Sequence, residues 1–196
     1  MKKKSSGFLK LLPFAGICAA GLVVAAFILL LATTGVSYNY TTILLGRTGS
    51  ATFGGPMTLF GGEFVYDFGG GYTVSDPVAG SGVALTSWIL ILAALAALVV
   101  TFVLSLVKIK IVIRLAGLLN LAAAGVLIAA GIMLLTVPGN FIAANQDRFD
   151  WFSVFSNGDT VLGAGWIVAA ILCFVGALVA AVPGCLELFA KIKGKK

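Results

Sequence analysis

Acid–base, metal or nucleophilic chemistry needs titratable side chains, and this chain offers few: His 0, Cys 3 and Asp+Glu 7. Without imidazole there is no histidine base or metal ligand. Cys18, Cys173 and Cys185 are too few for a structural zinc site, and read as small packing residues. The acids form two loose groups. Glu63, Asp67 and Asp76 could in principle act as an acid/base group or supply oxygen ligands to calcium. Asp147, Asp150 and Asp159 are the only cluster that could serve a membrane enzyme acting on lipid or peptide. Both groups lie in polar stretches, where separate, solvated carboxylates are the simpler reading. The expectation is therefore a non-enzymatic protein with no catalytic residue, no metal and no cofactor. Asn39-Tyr40-Thr41 matches the N-glycosylation acceptor, next to the end of an apolar run.

The elements that would carry these residues follow from hydropathy. The chain is 60% hydrophobic and 10% charged, with a mean hydropathy of +1.12, against about 45–50% apolar and about 25% charged in soluble domains. Its solvent is a lipid bilayer. A span needs about 20 apolar residues, and residues 11–32, 83–107, 115–137 and 161–182 qualify, with no Asp, Glu, Lys or Arg inside those bounds. Of the 13 basic residues, all but Arg47 and Arg148 flank the spans on one side, at 2–10, 108–114 and 191–196. All the acids but Glu187 lie on the other side. The excess of Lys and Arg predicts cytoplasmic termini and external loops at 33–82 and 138–160, in a single membrane domain over 1–196 of the cell membrane. The net charge of +6 is spread along span ends rather than gathered in a basic patch, which argues against a nucleic-acid partner. The first apolar run is longer than the h-region of a cleaved signal and reads as a retained anchor. Ala15-Gly16-Ile17-Cys18 has a bulky Ile17 where a lipoprotein site needs a small residue.

Lipid tails are as apolar as leucine, so helices in a membrane associate through small residues and a few polar contacts. The fourth span carries Gly165, Ala169, Cys173, Ala177 and Ala181 in one i, i+4 row, and the second carries Ala93, Ala97, Thr101 and Ser105. Gly16 with Ala20, Gly21 with Ala25, and Gly125 with Ala129 give the other two spans their small pairs. These stripes predict a compact bundle, and one could also serve oligomerisation. Asn120, the one strongly polar side chain inside a span, is predicted to bond across to another helix. Pro138 and Pro183 follow spans three and four. Pro183-Gly184 could instead kink the last helix, because an apolar pattern resumes at Leu186, with Glu187 and Lys191 as an i, i+4 pair.

The first loop is too long for a connector. Residues 36–45, 57–60, 63–68 and 72–74 read as strands, and Gly61-Gly62 as a two-residue hairpin turn. Phe-Gly-Gly recurs at Phe53, Phe60 and Phe68, as if marking successive hairpins. The second loop sets Phe141, Phe149, Trp151, Phe152 and Phe155 among polar residues. These aromatics could anchor at the lipid headgroups, complete the first loop's sheet, or bind a partner.

The predicted fold class is an all-α membrane protein: a four-transmembrane-helix bundle with a small antiparallel β-sheet formed by the external loops. Four spans, a long β-prone first loop, a tiny second connection and a shorter last loop resemble the layout of claudins and the peripheral myelin protein group. That resemblance implies lateral self-assembly, adhesion or an accessory role. It transfers no residue role, because residues 33–82 lack the Trp and the paired Cys of the claudin first loop. The expected function is a scaffold or accessory subunit that meets a membrane protein partner or a second copy. Its interaction candidates are Phe53, Phe60, Phe68, Phe149, Trp151, Phe152 and Phe155. The alternative is an oligomeric channel or small transporter subunit, with a pore between copies lined by Thr101, Ser105 or Asn120.

Overall fold

The structure, a computed structural model, describes residues 12–43, 46, 48–67, 73–107, 109–154 and 156–189. In chain order it contains α1 (Leu12–Ala32), β1 (Thr34–Thr42), β2 (Thr48–Gly54), α2 (Gly55–Phe60), β3 (Gly62–Asp67), β4 (Thr73–Val78), α3 (Gly82–Ser105), α4 (Lys110–Leu135), α5 (Val137–Ala144), α6 (Gln146–Ser153), β5 (Ser156–Leu162) and α7 (Ala164–Phe189). Among the described residues four helices, α1, α3, α4 and α7, are long and apolar enough to cross a bilayer. Helices suit that setting because they satisfy their own backbone hydrogen bonds where no water can.

The four helices form a ring in which α1 packs on α3 and α7, and α4 packs on the same two. Its interior is filled mostly by small or branched side chains such as Ala19, Val23 and Ala26 of α1, Ala94 and Leu98 of α3, Leu127 and Ala130 of α4, and Ala169, Cys173 and Ala177 of α7. Larger apolar groups point outward, among them Ile28, Ile89, Ile132 and Leu178, the last 69% exposed. This is the arrangement of a bundle solvated by lipid, in which close backbone approach holds the helices together.

At one end of the ring the two long connections build a three-stranded antiparallel sheet in the order β2-β1-β5, beside a β3-β4 hairpin. Tyr38 of β1 pairs with Ala51 of β2 and Thr160 of β5. The sheet is joined tightly to the bundle: Gly55 N–H donates to Thr33 O at 2.8 Å and Gly163 N–H to Gly35 O at 2.8 Å. A side chain at Gly55 would run into the Leu30 carbonyl, and one at Gly163 into that of Thr34.

Several local expectations change. Residues 57–60 belong to a helix, α2, rather than a strand: Pro56 occupies its first turn, where a missing N–H is harmless, and Thr58 Oγ1 donates back to Gly54 O at 3.0 Å. Gly61-Gly62 is consequently no hairpin turn. Gly61, at φ 79°, closes α2 by donating to Met57 O, a left-handed position that favours glycine. The Phe-Gly-Gly at Phe53 marks the junction of β2 with α2, and that at Phe60 the junction of α2 with β3. Phe68 lies outside the described residues. Strand β2, Gly-, Ser- and Thr-rich, is not among the expected strands, while β5 is the second loop's contribution to the expected sheet of the external loops, placed at the start of the expected fourth span. That span shifts to Ala164–Phe189 and continues through Pro183, since a packed membrane helix tolerates the one backbone bond a proline removes. The third helix stops at Leu135, and Pro138 instead opens the short α5.

Candidate functional site

At the sheet end, the inward faces of β1 and β2 and the helices α5 and α6 enclose an aromatic core. Phe53 and Phe141 are 5% and 0% exposed, with ring centroids 4.9 Å apart. Phe64 lies 5.0 Å from Phe53, and Phe149 contacts Tyr38 edge-on at 5.1 Å. Phe53 is therefore a core residue and not a free contact surface, and half-buried Phe149 closes the same core from α6. Phe60 differs. It is 58% exposed and meets Trp88 edge-on at 5.7 Å, while Trp88 stacks on Phe27 of α1. This cluster at the sheet-side ends of α1 and α3 suits the headgroup level of a bilayer. Phe155 and the side chains of Trp151 and Phe152 lie outside the described residues.

The second connection grips the first through polar side chains. Asn145 Oδ1 accepts from Ala79 N–H at 2.8 Å, and its Nδ2 donates to Ala79 O at 3.0 Å and Phe141 O at 2.9 Å. It completes the backbone of Ala79 as a neighbouring strand would. Ser81 caps α3 by accepting from Ala84 N–H, and donates its own hydroxyl to Asn140 Oδ1 at 2.8 Å. An ion pair of Arg148 with Asp76, at 2.9 Å, lies in partial exposure on the same seam.

The carboxylates are dispersed. Asp76 is taken by Arg148, Glu63 accepts from Ser75 Oγ at 2.9 Å in an exposed position, and Asp159 stands on β5 opposite Asn39. Asp147 and Asp150 lie exposed on α6, and the Asp67 side chain is outside the described set. Among the described residues no three His, Cys, Asp or Glu side chains converge. The outer face of the three-stranded sheet is instead lined by Asn39, Thr41, Thr48, Ser50, Asn157 and Asp159, which border a shallow open depression. Among the described residues β2 has β1 on one side and no strand on the other, so one sheet edge is open.

The opposite half of the ring holds a buried polar trio. Thr101 of α3, Asn120 of α4 and Glu187 of α7 are 2%, 4% and 6% exposed. Thr101 Oγ1 lies 2.9 Å from Asn120 Oδ1, and Asn120 Nδ2 is 3.3 Å from Glu187 Oε2. Glu187 reaches this place because α7 buries one heptad seam throughout: Trp166, Cys173, Ala180 and Glu187, with Ala170, Ala177 and Gly184 between them. A 3.5-residue repeat keeps one face toward a neighbouring helix. The i, i+4 row drifts off that face, so Ala169, Cys173 and Ala177 are buried while Gly165 and Ala181 are only partly so. Gly165 abuts Thr33, between α1 and β1. Glycines bring α4 and α7 together around the trio, since a Cβ on Gly117 would stand 2.9 Å from Gly184 O and 3.0 Å from Glu187 Cβ.

Glu187 corrects the expectation of a fourth span without acids. A charged side chain at a lipid-embedded helix centre costs about 2.5–3.5 kcal/mol on insertion scales. Glu187 lies near the helix end, faces inward, and has the Asn120 amide as a donor. The signal for it was in the chain: the heptad of buried positions in α7 predicts position 187 once Pro183 is allowed inside the helix. Ser105, the other pore-lining candidate of the second span, donates within its own helix to Phe102 O at 2.7 Å.

No protein-family model matches this chain, and no curated protein matches its sequence.

Proposed function

We propose that this multi-pass membrane protein is a non-enzymatic scaffold or accessory subunit of the cell membrane whose sheet-end module recognises a membrane protein partner or a second copy. The observation that carries this reading is the sheet itself: its inner face is consumed by an aromatic core, while among the described residues its outer face and its β2 edge are left open and carry mostly short polar side chains. An open strand edge can take up an added strand, with backbone bonds supplying affinity and alternate side chains specificity. The distribution of Lys and Arg along the chain supports placing this module outside the cell and both termini in the cytoplasm. Similarity in layout to claudins and the peripheral myelin protein group supports lateral assembly as its mode of action. A solute path through one copy has little support, because apart from the Thr101, Asn120 and Glu187 trio at one end the ring interior is packed mostly with apolar side chains.

The test is the mass of the particle extracted into nanodiscs, with crosslinking and mass spectrometry of what accompanies it. The wild-type chain should run with a stoichiometric partner or as a closed oligomer. Ser50→Lys with Thr52→Lys, which places charge along the exposed β2 edge, should release that partner about tenfold more readily while circular dichroism stays unchanged. A monomer without companions, or a complex indifferent to the double substitution, would refute the reading.

A further inference from the structure

The trio in the bundle has a property beyond packing. The Thr101 hydroxyl carries a single hydrogen, yet two acceptors lie within reach, Leu98 O at 2.8 Å and Asn120 Oδ1 at 2.9 Å. The Asn120 amide sits between that hydroxyl and the Glu187 carboxyl, and turning it over by 180° exchanges its donor and acceptor ends. With Glu187 ionised, Asn120 donates to the carboxylate and accepts from Thr101. With Glu187 protonated, the carboxyl O–H donates to the amide oxygen, the amide donates to Thr101 Oγ1, and Thr101 donates to Leu98 O. Both chains of bonds use the same heavy-atom positions. Neither leaves the groups between Leu98 and Glu187 without a partner.

We infer that Thr101, Asn120 and Glu187 form a reversible proton-binding site inside the membrane-spanning bundle, with Glu187 the group that takes the proton and Asn120 and Thr101 the relay that reverses to receive it. The proton passes from water at the short-connection end of the ring to a Glu187 carboxylate oxygen and returns the same way, with no other bond made or broken. Glu187 lies within a turn of the end of α7, so that exchange needs no path along the ring. Among the described residues few other charges lie on the surrounding elements. On the elements packed against this part of α7, the titratable residues are Cys18 of α1 and Lys110 and Arg114 of α4, while α3 carries none. On α7 itself they are Cys173 and Cys185, and β1, with Tyr38 and Tyr40, meets α7 at its far end. Arg114 is exposed and, among the described residues, forms no ion pair with Glu187.

The chain contains only two glutamates, Glu63 and Glu187, so carboxyl-labelled [13C]glutamate reports on the site directly. Infrared spectra of the full-length labelled Glu63→Gln protein in nanodiscs, in which Glu187 is the one glutamate left, recorded between about pH 4 and pH 10, should show a carboxyl transition that disappears when Glu187→Gln is added. The asparagine amide band should change with the midpoint of the Glu187 transition. Asn120→Leu and Thr101→Val should each displace that midpoint by about one pH unit or more, with circular dichroism confirming an unchanged helix content. A Glu187 band that stays constant over the whole range overturns the inference. So does one that titrates with no change in the amide band and no response to Thr101→Val, because a merely structural hydrogen bond predicts that pattern.

Discussion

Two asparagines hold this molecule together in two different solvents. Asn120, between helices, and Asn145, between the loops, are nearly equally buried at 4% and 7% exposure, and each joins segments far apart in the chain. Their partners differ in kind. Asn145 bonds to backbone, taking both polar groups of Ala79 and a carbonyl of its own helix. Asn120 bonds to side chains, Thr101 and Glu187. The reason lies in the surrounding structure: a helix interior has spent its backbone groups on itself, whereas the extended segment leading from β4 to α3 has groups to offer. A span hydroxyl can donate to a carbonyl of its own helix, but the Asn120 amide has a donor and an acceptor end to satisfy and takes other polar side chains, which is how a single asparagine comes to be accompanied by a buried carboxyl.

The comparison is broken most severely by removing what fills the sheet end. Phe141→Ala should destabilise that module by about 3–5 kcal/mol, seen as rapid hydrogen exchange in β1, β2 and β5 while amides of α1 and α4 stay protected. Asn145→Ala should come next. It leaves the buried N–H and C=O of Ala79 without their partner, and about 1–3 kcal/mol of local stability should be lost, measured as faster proteolysis in the 76–83 segment. For Asn120→Leu the expected loss is smaller, about 0.6–1.7 kcal/mol, because in the membrane-embedded unfolded state polar groups also find partners. Denaturation in mixed micelles would measure it, and a loss as large as that of Asn145→Ala would erase the contrast drawn between the two solvents. Arg148→Ala should change stability by less than about 1 kcal/mol, since its ion pair with Asp76 is partly exposed, and added salt should shrink even that difference.

Much of the bundle was legible in advance because its cause is local. A run of apolar residues without charge has one stable form in lipid, so α1, α3 and the body of α4 fall close to where hydropathy puts them. The loop elements were harder to read. Met57 to Phe60 has the composition of a strand, but Pro56 and the flanking glycines make it a helical turn. Residues 156–162 acquire strand structure from β1, more than a hundred positions away, and no property of that stretch alone announces the pairing. The aromatics of the second loop could have anchored, paired or bound; burial of Phe141 against Phe53 assigns that residue to the core.

The amino-acid sequence by itself determined the solvent, the spans to within a few residues, and the presence of a lone amide in the bundle, all through the cost of placing polar groups in hydrocarbon. Only the tertiary structure decided which segments form the sheet, that Phe53 lies inside it, and that α7 runs past Pro183 far enough to set Glu187 beside Asn120. Those outcomes depend on contacts between residues distant in the chain, and such contacts become definite only when the elements around them have already met.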